Sequence, residues 1–186
     1  MKDPALLVGF AGAIGSGKNL AASLVPGAIV IEHADPIYRG LAAMLDVPES
    51  ALRDRATKES NLYESHGVLP GVDTSVRGLL RSLGTEWGRE LVHPDLWLAL
   101  ANQRIDALLA ADPGVRIAIP GVRFHNEVES IRSRGGAVAW IHRPGLEPID
   151  EHKSDRVLTA IDCDAVIVND GTPAELAAEI ARFTRS

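Results

Sequence analysis

The stretch Phe10-Ala11-Gly12-Ala13-Ile14-Gly15-Ser16-Gly17-Lys18-Asn19 decides the fold. An apolar run, Ala5 to Phe10, leads into it and reads as a short buried strand. Lys18 to Val25 leaves it with a helical pattern that Pro26 stops. Between them, Gly12 to Lys18 matches the first seven positions of the pattern G-x-x-x-x-G-K-[ST]. Glycines let such a loop fold so that successive N–H groups converge on phosphate oxygens, and the helix N-terminus adds its positive end. Lys18 sets a cation between the outer two phosphates of a nucleoside triphosphate. Gly12, Ala13, Ile14, Gly15, Ser16, Gly17, Lys18 and Asn19 are therefore candidate ATP-binding residues. At the eighth position Asn19 replaces the Ser or Thr whose hydroxyl binds magnesium. Its amide oxygen, directly or through a water, is the substitute ligand; the plainer reading is that Asn19 caps the helix.

Outward from this loop, Ala28 to Glu32, Val115 to Ile119, Ala137 to His142 and Ala165 to Val168 read as further short apolar strands. Helical patterns separate them, and Asp112-Pro113-Gly114, Gly135-Gly136 and Asn169-Asp170-Gly171 punctuate the chain. Strands alternating with helices predict an α/β fold with a five-stranded parallel sheet covered on both faces. The block from 36 to 111 is mostly helical and too long for one crossover. The expected division is a core of 1–35 and 112–186, a helical insertion of about 36–111, and a polar lid loop of about 143–160.

Composition narrows the partners. A net charge of -6 argues against a general nucleic-acid binder while leaving room for a local basic pocket. The one cysteine, Cys163, forms no internal disulfide and supplies no zinc framework. No apolar run reaches the ~18 residues that span a bilayer. The run Ala5 to Ile14 is a poor signal peptide, because Asp3 offsets Lys2 and the run flows into the glycine loop. A cytoplasmic protein with no membrane and no nucleic-acid polymer as partner is expected. Arg77, Arg81 and Arg89, spaced i, i+4 and i+12 on an expected helix, form a row suited to a phosphate-bearing acceptor.

The remaining segments carry a family resemblance. They are His33-Ala34-Asp35-Pro36, Val76 to Arg89 (VRGLLRSLGTEWGR), His93-Pro94-Asp95-Leu96-Trp97, Val122 to Glu127 (VRFHNE), His152-Lys153-Ser154-Asp155 and Asn169-Asp170-Gly171-Thr172. In this order the chain resembles the phage-type deoxynucleoside monophosphate kinases, within the P-loop nucleoside monophosphate kinase group. The L-G-T-E-x-G-R segment followed by H-P-D-x-W is the most specific part.

The resemblance implies a P-loop NTPase-type three-layer fold with an acceptor-binding insertion and a lid. It implies transfer of a phosphate from ATP, with Mg2+, to a deoxynucleoside monophosphate, and a homodimer is common among such enzymes. Lys18, Asp35 and Arg123 become the catalytic candidates, and Asn19 and Asp35 the metal ligands. Arg39, Arg77, Arg81, Glu86, Arg89, Asp95 and Trp97 join Asp35 as acceptor-binding candidates, with Trp97 equally suited to core packing. Arg143, His152, Lys153, Ser154 and Arg156 belong to the lid, and Arg143, Asn169 and Gly171 also to the ATP site. Two positions depart from the family: Asn19, and Gly121, where the family has an aspartate that helps to hold magnesium. Alternative readings are a P-loop kinase for another phosphorylated metabolite, of phosphomevalonate or dephospho-coenzyme A type, and a nucleotide-binding protein with impaired catalysis.

Overall fold

The computed structural model describes residues 5–54, 75–146 and 157–185. Its chain divides into two compact units, residues 1–33 with 101–186 and residues 34–100.

The first unit is built on five strands: β1 (Leu6–Ala11), β2 (Ala28–Val30), β3 (Arg116–Pro120), β4 (Ala137–His142) and β5 (Ala165–Val168). They pair in the order β2-β3-β1-β4-β5, and every pairing is parallel. Parallel strands need crossovers, and here these place helices on both faces. Alternation along the strands splits the core accordingly. Leu7 and Ala11 of β1, Ile117 and Ile119 of β3 and Val138 of β4 face one way, with Ile105, Val128 and Ile131 from helices. Val8 and Phe10, Ala118, and Ala139 and Ile141 face the other, with Ala21, Ala22, Leu176 and Ile180. The five strands and their layering are as the sequence predicts.

Helix α1 (Lys18–Ser23) ends before the expected Val25, and β2 is three residues long rather than five. In the second unit lie α2 (Asp35–Leu45), α3 (Glu49–Arg53) and α4 (Val76–Arg81). A π-helical segment (Ser82–Val92) continues α4 directly. Helix α5 (Leu96–Ala111) then runs past the division between the units. The first unit is completed by α6 (His125–Ser133), a 3-10 turn (Ala160–Asp162) and α7 (Pro173–Phe183). Helix α7 opens with Thr172 as N-cap, Pro173 in its first turn and Glu175 bonding back to Thr172, the sequence form of a capping box.

Candidate active site

The carboxyl ends of parallel strands are where an open α/β sheet gathers its ligand groups. Four of the five ends carry the candidate residues of the first unit. After β1 the backbone takes positive φ at Gly12 (139°), Gly15 (83°) and Gly17 (101°), conformations that side chains resist. Ser16 N–H donates to Ala13 O at 3.2 Å, which tightens the turn. Lys18 Nζ folds back onto the loop, donating to Gly12 O at 2.7 Å and Ala13 O at 2.6 Å. A triphosphate offers stronger, charged acceptors than these carbonyls. Ser16 is buried, and its Oγ has no hydrogen-bond partner. Ala13 and Asn19 are exposed.

The end of β5 reaches the same loop. Asn169 Nδ2 donates to Ser16 O at 2.7 Å, and its backbone N–H to His142 O at 2.7 Å. The Asn169 side chain thus braces the phosphate loop itself, and a methyl group added at Gly17 would collide with it. Gly171 is exposed. Beyond β4, Arg143 is exposed at the start of the expected lid, and Leu146 turns back to bond Arg143 O. His152, Lys153, Ser154 and Arg156 lie outside the described residues.

After β3, four consecutive amides are held by two acceptors. Gly121 and Val122 N–H donate to Phe10 O at 3.0 and 3.1 Å. Arg123 and Phe124 N–H donate to Glu127 Oε2 at 2.7 and 3.3 Å. The exposed Arg123 is therefore carried on a backbone fixed to β1 on one side and α6 on the other.

In the second unit Asp35 occupies the first turn of α2, whose N-cap is Ala34. Asp35 Oδ1 accepts from Arg53 Nη2 at 2.6 Å. Arg53 also bonds Glu49 and stacks over the Tyr38 ring at 4.2 Å. Sequence reasoning missed Arg53, because neither its spacing nor its neighbours connect it to Asp35, eighteen positions earlier. Arg39 is exposed on α2.

The arginine row does not lie on one α-helix. Arg77 and Arg81 belong to α4, while Arg89 sits in the π-helical segment. A continuous α-helix at about 100° per residue would turn Arg89 about 120° away from Arg77. At the wider π winding, about 80° per residue from Arg81 onward, it returns to within roughly 40°. All three arginines are half-buried, while Glu86 and Glu90 between and beside them are exposed.

The π segment is braced from α5. Buried Trp97 donates its indole N–H to Gly84 O at 2.7 Å, and its ring lies so close to Gly88 that a Cβ there would overlap it. Trp87 and Trp97 also pack together, ring centroids 6.1 Å apart. Asp95 is exposed, and its N–H donates to His93 Nδ1 at 3.0 Å. The two glycines and the later tryptophan of the LGTEWGR and HPDLW segments thus form one structural unit that presents the arginines.

Among the described residues no group of three His, Cys, Asp or Glu side chains could hold a metal ion.

A strand, a positive-φ glycine loop with its lysine, and a helix at the carboxyl edge of a parallel sheet define a P-loop α/β fold. Solved structures agree at the level of fold. The Thermus thermophilus protein TT1252 superposes with a TM-score of 0.54 at 18% identity, over 99% of this chain and 98% of that one. The Deinococcus radiodurans tunicamycin resistance protein gives 0.50 at 14% identity, over 98% and 95%. The model of the deoxynucleotide monophosphate kinase family matches residues 72–180. A protein of Acanthamoeba polyphaga mimivirus named "Putative deoxynucleotide monophosphate kinase" is 29% identical over 94% of each chain. The deoxynucleoside-5'-monophosphate kinase of Escherichia phage T5 is 40% identical over 40% of this chain and 26% of its own. The chain belongs to the deoxynucleotide monophosphate kinase family, and it is a kinase.

Proposed function

We propose that this protein transfers the terminal phosphate of ATP to a deoxynucleoside monophosphate, giving ADP and the diphosphate. The observation that carries this reading is the phosphate loop, closed by three positive-φ glycines and ending in Lys18. ATP binds with its β- and γ-phosphates against the amides of residues 12–18, and Lys18 exchanges two carbonyls for phosphate oxygens. Asn169 keeps the loop in shape from β5. Arg123, on its fixed backbone, contacts the transferring phosphate.

Asp35, Arg77, Arg81 and Arg89 position the acceptor, and Arg53 is added to them. Because Asp35 Oδ1 is engaged by a guanidinium, the aspartate serves acceptor positioning better than metal binding. Trp97 acts as the brace of the arginine row. Arg39, Glu86 and Asp95, all exposed, complete the acceptor set. Asn19 would hold Mg2+, which would supply charge neutralisation at the triphosphate.

The chemistry asks little covalent work of the protein. A phosphate oxygen of the acceptor is already ionised, so no strong general base is required. Alignment and neutralisation of developing charge supply the rate. ATP, the acceptor nucleotide and a second copy of the chain are the proposed partners. The proposed setting is the cytoplasm. Among the described residues no helix is long and apolar enough to cross a membrane.

The testing experiment measures ADP release across dTMP, dGMP, dCMP, dAMP and their ribose counterparts. Turnover with at least one deoxynucleotide is expected. ATP binding without ADP formation on every one of them would remove the reading.

A further inference from the structure

Only three polar or charged residues among those described are buried: Ser16, His33 and Glu127. Two of them face each other. His33 (8% exposed) lies just past β2, and its Nδ1 is 3.8 Å from Oε2 of Glu127 (3% exposed) on α6. That nitrogen has no hydrogen-bond partner. A buried carboxylate is costly unless its charge and lone pairs are used. Glu127 uses Oε2 on the N–H groups of Arg123 and Phe124. Bonding to Phe124, the N-cap of α6, is the backward half of a capping box. Bonding to Arg123 goes one residue further than helix capping needs.

We infer that Glu127, with His33 behind it, is a positioning couple that sets the backbone of Arg123 for phosphoryl transfer. This rests on the reading of Arg123 given above. Phe10 O and Glu127 Oε2 between them fix four successive amides, so the conformation of the arginine is over-determined from β1 and α6 together. His33 presents Nδ1 to the same oxygen from the end of β2, the strand adjacent to β3. Phe10 of β1 and Glu127 of α6 thus bond the backbone that carries one exposed side chain, and His33 past β2 lies against Glu127. A purely structural cap would leave the chemical step alone. A positioning group loses rate while the Michaelis complex still forms, because the misplaced arginine matters most when charge develops.

The test is a double-mutant cycle on the full chain. Glu127→Gln preserves volume but replaces the charged oxygen that accepts both N–H groups with a neutral, weaker acceptor and sets an amide donor beside it. It is expected to lower kcat about tenfold, with KM for ATP and for the deoxynucleotide unchanged within about twofold. Arg123→Ala is expected to lower kcat by about a hundredfold. In the Arg123→Ala background, Glu127→Gln should then cost less than about twofold, because its effect runs through the arginine. His33→Gln should reproduce the Glu127 pattern more weakly, and it serves as the second arm if Glu127→Gln does not fold. A full tenfold loss in both backgrounds, or a loss confined to KM, overturns the couple while leaving the Arg123 reading in place. Wild-type turnover by Arg123→Ala overturns that reading instead.

Discussion

Lys18 holds two carbonyls of its own loop, Gly12 O and Ala13 O, with short bonds that a triphosphate must displace. Truncating it removes the cation that follows the transferred charge but no core contact. Lys18→Ala is therefore expected to lower ADP release by about a thousandfold or more with little change in melting temperature. Near-native turnover would refute the phosphate loop's role. Gly121 makes a second test at single-residue scale. It has φ +74° and nothing within 4 Å of where a Cβ would sit, so the obstacle to a side chain is conformational rather than steric. Aspartate tolerates that region better than most residues. Gly121→Asp restores the carboxylate that the family resemblance places there. The variant is expected to reach half-maximal rate at several-fold lower Mg2+, at a stability cost of about 1 kcal/mol. An unchanged magnesium titration would exclude this position from metal binding. Cys163 gives a third. Burial, and then the charges of Asp162 and Asp164, push its thiol up to about 11, so it stays protonated at neutral pH. Alkylation by iodoacetamide at pH 8 should be about a hundredfold slower than for a free thiol and accelerate only as pH nears 11.

The π-helical segment shows what the sequence made legible and what it hid. Strand periodicity, the glycine loop and the turn residues were sufficient for β1, β3, β4 and β5, short apolar runs bounded by Gly, Pro, Asn or Asp, whereas β2 has Gly27 before it but no such residue at its end and stops two residues short of the expected strand. The spacing of Leu79, Leu80 and Leu83 signals helix but does not separate α from π winding, since two leucine steps fit either. Winding here is tied to a contact across sequence: Trp97 on α5 bonds Gly84 O and covers Gly88. The Arg53–Asp35 pair and the Asn169 brace are invisible for the same reason, since they depend on tertiary approach and not on local pattern. If the contact sets the winding, a methyl group at Gly88 must displace the indole. Gly88→Ala is expected to destabilise by about 1–3 kcal/mol in denaturant melts. It should also raise KM for the deoxynucleotide more than KM for ATP, because it disturbs the row of Arg77, Arg81 and Arg89 and not the glycine loop. Trp97→Phe removes the hydrogen bond to Gly84 O, worth about 1 kcal/mol, together with part of the packing, and should follow the same direction. Equal effects on the two KM values would mean that the segment serves both nucleotides.

At the scale of the whole molecule, the proposed reading gives the two units separate nucleotide roles, and the tryptophans are distributed so that each role can be tested alone. Trp140 lies in β4 of the first unit, whereas Trp87 and Trp97 lie in the second. ATP is assigned to the first unit through the phosphate loop and Asn169, and the acceptor to the second through Asp35, Arg53 and the arginine row. A ligand that binds only the folded state stabilises it by mass action, about 2.7 kcal/mol at a hundred times its Kd. For a chain of this size that corresponds to a rise of about 5–10 °C in melting temperature. In a Trp140→Phe variant the emission reports the second unit, and the acceptor deoxynucleotide alone should shift its melt while Lys18→Ala leaves that shift unchanged. In wild-type protein ATP should raise the melt by the stated amount, and Lys18→Ala should abolish the rise. An acceptor shift that disappears with Lys18→Ala would place both nucleotides on the phosphate loop, and the division of labour between the units would have to be given up.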